Sequence, residues 1–189
     1  MISPGAEASI EGLFENAIRG NAVLPDDQCL IDWRDGHALP PADDHRRLVA
    51  LTVSTYLFRI VALFDFGTDA ATATHMARLT RAGKARLDGQ ELLDAFSELC
   101  NVICGEVNRG LSSTFRHAGM STPFVLERSC MAHIETLAPS ALWLGRVTVN
   151  DSVGFSASIC LCAGKDADLD FHIDTSARQL NLTGELELF

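Results

Sequence analysis

The sequence predicts an α+β domain in which an antiparallel β-sheet packs against two or three helices. Three observations lead there. A run from about Gly89 to Arg116 has the apolar period of one long amphipathic helix. Apolar stretches rich in β-branched and aromatic residues, bounded by turn residues, read as strands on both sides of it. The chain has 189 residues, of which 47% are hydrophobic and 21% charged, the mixture of a single globular domain with a real core.

The elements follow in order. Ser3 caps a first helix over about 4–20, Pro4 suits its first turn, and Ile10, Leu13, Phe14, Ala17 and Ile18 recur at helical spacing, with Gly20 as the stop. Residues 21–45 read as an irregular insertion, punctuated by Pro25, Asp26-Asp27, Asp35-Gly36, Pro40-Pro41 and Asp43-Asp44. Leu48 to Thr55 and Leu57 to Phe66 read as paired strands. Gly67-Thr68-Asp69 opens a helix from Ala70 to about Ala82. Asp88 caps the long helix, with Glu91 as its capping-box partner and Gly119 as the stop.

Pro123 to Glu127, Met131 to Thr136, Leu142 to Val149 and Val153 to Cys162 follow as strands, with a hairpin turn at Asn150-Asp151-Ser152. In the C-terminal extension, 165–189, Leu180, Leu182, Leu186 and Leu188 alternate with polar residues, as an edge strand or short hairpin would. The whole reads as a single domain, 1–189, with its core at about 47–162.

Charge and cysteine usage narrow the function. With 25 acidic and 15 basic residues the net charge is −10, which argues against a nucleic-acid partner and against docking on an anionic membrane. The longest apolar stretch, Leu48 to Phe66, is broken by Thr52, Ser54, Thr55, Arg59 and Asp65, so no membrane span is expected. MISPGAEASIEG has neither the basic nor the apolar region of a signal peptide, so a cytoplasmic location is expected. The cysteines, at 29, 100, 104, 130, 160 and 162, form no CxxC and read as reduced, small buried side chains. Zinc held by Cys100, Cys104, Cys160 and Cys162 is the alternative. The sequence has no G-x-S-x-G, H-E-x-x-H or phosphate-binding glycine loop.

The long helix carries the chemistry. At 100° per residue, Leu92, Phe96, Leu99, Ile103 and Val107 share an apolar arc. Asp94, Glu98 and Asn101 fall opposite, at i, i+4 and i+7, and Gly105, Asn108 and Ser112 continue the line. Solvated helix faces carry such residues routinely. Here, though, Asn and Gly are poor helix formers, and the line lacks the Lys or Arg at i+4 that makes a salt-bridged surface.

Asp94-x3-Glu98-x2-Asn101, within DAFSELCNVICGEVN, resembles the signature helix of the CheC/CheX/FliY chemotaxis phosphatases. The Val-Ile-Cys-Gly run that follows, and the order of elements around it, resemble CheX most. The resemblance implies the CheC-like/CheX-like fold, with one face of the signature helix exposed. It also implies a phosphatase for the aspartyl phosphate of a phosphorylated CheY-like response regulator. In that reading Asn101 orients the attacking water and Glu98 contacts the regulator, pairing with its active-site lysine. Asp94 and Gly105 serve docking. An acyl phosphate is already activated, so the task is to hold a water in line, and a carboxamide suits it because it both donates and accepts hydrogen bonds. No cofactor or metal is expected in this chain, and Mg²⁺ is expected on the regulator.

The chain holds one complete motif, as CheX does, whereas CheC has two: the first helix, SIEGLFEN, has no Glu three residues before an Asn. The CheX resemblance further implies a homodimer formed by strand exchange. Residues 21–45 and 165–189 are additions to the CheX pattern, and Ser54-Thr55-Tyr56 stands where a glycine-containing turn is expected. The competing reading is a non-catalytic regulator-binding or flagellar-switch module on the same fold.

Overall fold

The computed structural model describes residues 1–36 and 46–175. Helix α1 spans Pro4–Asn21 and starts as its sequence dictates, with the Ser3 hydroxyl accepting the Ala6 N–H at 3.2 Å. Helix α2 spans Ala70–Leu79 and is capped by Asp69, whose carboxylate accepts the Thr72 N–H at 3.0 Å. Helix α3, the long one, spans Gly89–Ser112. It ends before Arg116 because Ser113 and Thr114 turn to the carbonyls of Gly110 and Leu111, tightening the last turn. Asp88 does occupy the cap position of α3 but makes no side-chain cap bond. Glu91 is drawn instead into a close ion pair with Lys84, so the expected capping box does not form.

Among the described residues seven strands form one antiparallel sheet: β1 (Cys29–Asp35), β2 (Arg46–Ser54), β3 (Phe58–Gly67), β4 (Gly119–Met120), β5 (Phe124–Leu126), β6 (Ala141–Val149) and β7 (Val153–Ala163). Their spatial order is β1-β6-β7-β3-β2, with the short β4 and β5 both lying on the outer edge of β2. The turn between β2 and β3 works without glycine, because the Thr55 hydroxyl accepts the Leu57 and Phe58 N–H groups. The β6–β7 loop, Asn150 to Ser152 between paired Val149 and Val153, has Asn150 and Asp151 at left-handed φ of 50° and 54°, a conformation that Asn and Asp tolerate.

Two further expectations are corrected. Residues 21–45 are not uniformly irregular: Cys29–Asp35 is a full strand, in register with Asp35↔Trp143 at one end and Cys29↔Val149 at the other. Its Cys29, Ile31 and Trp33 pack toward the main core while Leu30, Asp32 and Arg34 are exposed. The second correction concerns Met131 to Thr136, which is not a strand but part of a 3₁₀ helix, Arg128–Leu137. Met131, Ile134 and Leu137 recur at i+3, which aligns them on one side of a three-residue turn. The alternation at Leu180 to Leu188 lies outside the described residues.

The helices cover one face of the sheet. Val49, Leu51 and Val53 of β2, Ile60, Phe64 and Phe66 of β3, and Phe155 and Ile159 of β7 meet Phe14, Phe96, Ile103 and Val107 in a single core. Between α1 and α3 the contact is tightest at Gly110, where a Cβ would lie 2.4 Å from Leu13 Cδ2. The 3₁₀ helix covers part of the other face, where Met131 and Ile134 pack on Leu48, Ala50, Leu63 and Cys160. It is tied down by buried Asp65, whose carboxylate accepts Nε–H of Arg46 at 3.0 Å and Nε–H of Arg128 at 3.1 Å. After β7 the chain returns along α1, where the Ile173 N–H donates to the Ser9 hydroxyl at 2.9 Å and Asn16 donates to the Thr175 carbonyl at 2.7 Å. The first part of the C-terminal extension is thus packed against the fold.

Candidate functional site

The site is the outward line of α3, and the helix's own burial pattern puts it there. Leu92, Phe96, Leu99, Ile103, Val107 and Leu111 are all buried against the sheet and α1. The residues half a helical circumference away must then face outward. Asp94 and Glu98 are exposed, and Asn101 and Gly105 are half-buried. Asp94 accepts a hydrogen bond from Gln90 Nε2 at 2.7 Å. Among the described residues, the side chains of Glu98 and Asn101 have no hydrogen-bond or ion-pair partner. A carboxylate and a carboxamide stand one turn apart on a rigid helix, both unengaged.

The surface beside them is apolar. Met120 of β4 faces Gly105, where a Cβ would sit at an ordinary 3.9 Å from its sulfur. Val102, one turn beyond Glu98, is among the exposed large hydrophobic side chains, at 38%. In the sequence Val102 stands out only as the first residue of the Val-Ile-Cys-Gly run, and Met120 does not stand out. The signal for Val102 was present, since a β-branched apolar residue on the polar side of a helix serves neither propensity nor burial. Nothing in the sequence placed Met120 there, because β4 has only two residues.

The line Asp94–Glu98–Asn101–Gly105 is a convex ridge. Concave surfaces form between other elements: one cavity of about 390 Å³, between the starts of α2 and α3, is lined by residues including Arg47, Arg86 and Asp88. A ridge cannot enclose a small substrate, but it can be inserted into the open site of a partner. Glu98 can offer a carboxylate to a partner's cation, and Asn101 can donate and accept hydrogen bonds at once.

The cysteines lie elsewhere. Cys100 and Cys104 are fully buried, at 1% and 0% exposure, on the inner side of α3. Burial raises both thiols, that of Cys104 to about 12, so they are small apolar groups in the core. Among the described residues no group of three or more His, Cys, Asp or Glu is placed to hold a metal ion. No helix of the described residues is long and apolar enough to cross a membrane.

No protein-family model matches the chain, and no curated protein matches it either. Solved structures do. A CheC-like superfamily protein from Shewanella sp. PV-4 superposes with a TM-score of 0.59 at 12% identity, over 85% of this chain and 99% of that one. The chemotaxis protein CheX from Vibrio vulnificus gives 0.57 at 15% identity, over 82% and 98%. CheX in a CheX–CheY–BeF₃–Mg²⁺ complex from Borrelia burgdorferi gives 0.55 at 12% identity, over 83% and 97%. At such identities the likeness is one of fold, and it extends over nearly the whole of each neighbour. The chain therefore has the α+β fold of the CheX and CheC-like proteins, the fold that its α3 motif resembles.

Proposed function

We propose that the protein hydrolyses the aspartyl phosphate of a CheY-like response regulator. The observation that carries this reading is the unengaged pair of exposed Glu98 and half-buried Asn101 on the outward line of α3, on a fold shared with a CheX that is seen in complex with CheY. In the proposed complex α3 lies against the regulator's phosphorylation site. Glu98 pairs with a cationic side chain there and fixes the approach. Asn101 reaches beside the acyl phosphate and holds a water in line with the phosphorus–oxygen bond that breaks. The aspartyl carboxylate leaves, and the water supplies the oxygen of inorganic phosphate. Neither residue becomes bonded to phosphorus, which matches their chemistry: neither is an activated nucleophile. The contribution asked of the chain is positioning, as with the glutamine that orients water in GTPases. Mg²⁺ belongs to the regulator in this scheme, where it offsets the developing charge. Asp94, held by Gln90, and Gly105 border the contact.

A homodimer belongs to the same reading. The β4–β5 edge carries exposed Phe124 and Val125 on the outermost strand, where a second copy would add its own strands.

The test is the decay of a phosphorylated CheY-type regulator with the protein and with Asn101→Ala. Wild type should accelerate decay, and Asn101→Ala should lose about a hundredfold of that acceleration with its thermal unfolding unchanged. Equal decay with both proteins would refute the assignment of Asn101. Binding without any acceleration by wild type would favour the non-catalytic interaction module.

A further inference from the structure

We infer that Val102 is a specificity-determining docking residue, an apolar anchor for the receiver domain of the regulator beside Glu98 and Asn101. The inference rests on the phosphatase reading and deepens it. Its starting point is a pair of positions that serve the fold poorly. Val is a weaker helix former than Ala, because its branched side chain loses freedom against the preceding turn. Inside a helix such a residue is normally justified by burial. Val102 is 38% exposed and does not belong to either hydrophobic cluster of the described residues. Gly105, one turn on, is weaker still in a helix interior, and its neighbours do not demand it: a Cβ there would meet Met120 Sδ at 3.9 Å, ordinary contact. Gly110 of the same helix is the contrast, since a Cβ there would run into Leu13 at 2.4 Å. Of the two glycines in the interior of α3, one is explained by internal packing and the other is not.

Both under-justified positions flank Asn101. Helical geometry stacks Val102 on Glu98 at i+4 and sets Gly105 beside Asn101, with Met120 across from it. The result is a bare stretch of helix backbone between a valine and a flexible thioether, with a carboxylate and a carboxamide at its head. Local choices that disagree with the fold are expected at functional surfaces. The occupant is the receiver domain and not an arbitrary partner, because the surface is continuous with Glu98: a partner that pairs with Glu98 meets Val102 one turn on. The close approach that Gly105 permits would bury it.

The experiment uses Val102→Ala and Val102→Gln, both good helix formers and neither able to neutralise Glu98. Decay of the phosphorylated regulator is measured as a function of its concentration, and binding of the beryllofluoride-activated regulator by calorimetry. Both variants should raise KM and Kd about tenfold, the effect of leaving one valine side chain unburied. They should leave kcat unchanged and Tm equal or higher. Unchanged KM and Kd, with wild type active and Asn101→Ala impaired, would overturn the inference while the phosphatase reading stands. Binding without catalysis by wild type would refute the phosphatase, and the Kd of the variants would still decide the anchor. No binding by wild type would overturn both. A fall in Tm, or a shift in sedimentation of the protein alone, would make Val102 a folding residue or a contact between copies instead.

Discussion

Glu98 and Asn101 lie on one helix line, yet the proposed mechanism gives them different steps. A carboxylate only accepts, so it contributes where a cation or N–H is presented, and that contact exists from the moment of docking. A carboxamide that orients water contributes where geometry is strictest, as the phosphorus–oxygen bond breaks. Their substitutions should therefore separate kinetically. Glu98→Ala should raise KM for the phosphorylated regulator about tenfold or more, the range for a lost hydrogen bond to a charged group, with kcat nearly intact. A fall in kcat at unchanged KM would move Glu98 from docking to the chemical step. At this scale the candidate site was legible because the residue types are unusual for a merely solvated surface: an Asn and a Gly in mid-helix, and no cation at i+4 from either carboxylate. What stayed hidden was set by other elements. The place of Met120 depends on how β4 settles on the edge of β2.

Helix α3 places these residues, so its seating on α1 and the sheet governs the site. Gly110 is the closest point of that seating. Gly110→Ala gains about 1 kcal/mol of helix propensity but forces buried Leu13 from its place, an overpacking of about 1–3 kcal/mol. Gly105→Ala gains the same propensity and meets only ordinary contact. The two substitutions, identical in type and one and a half turns apart, should have opposite signs: Gly110→Ala lowers Tm and Gly105→Ala raises it. Chemical denaturation of both variants checks this, and a stabilised Gly110→Ala would mean that α1 moves aside easily. The long helices and central strands were legible because their periods persist over many residues. The elements that were misread lack that length. β1 is enclosed by turn residues, and its inward set of Cys29, Ile31 and Trp33 is brief. The 3₁₀ helix shows an i+3 recurrence that, over so few residues, also fits a short apolar strand.

Across the whole molecule the cysteines record how completely the sheet is covered. Cys100 and Cys104 lie between α3 and the core, and Cys160 lies under the 3₁₀ helix. Cys29 and Cys162 are half-buried, and Cys130 stands exposed at the start of the 3₁₀ helix. Thiol reagents attack the thiolate, so access and acidity act together. Burial raises Cys104 and Cys160 to about 12. Between pH 7 and 9 both stay almost wholly in the neutral form and out of a reagent's reach, whereas Cys130 stands open to attack. A native protein treated with an aromatic disulfide reagent at pH 8 should therefore lose one thiol quickly and two slowly. Cys100, Cys104 and Cys160 should react only with unfolding, at a rate that denaturant accelerates in step with loss of helical signal. Rapid loss of Cys160 at low denaturant, ahead of Cys100 and Cys104, would show that the 3₁₀ helix lifts off independently. The face of the sheet held by Asp65 and its two arginines would then be less firmly covered than the face that carries α3.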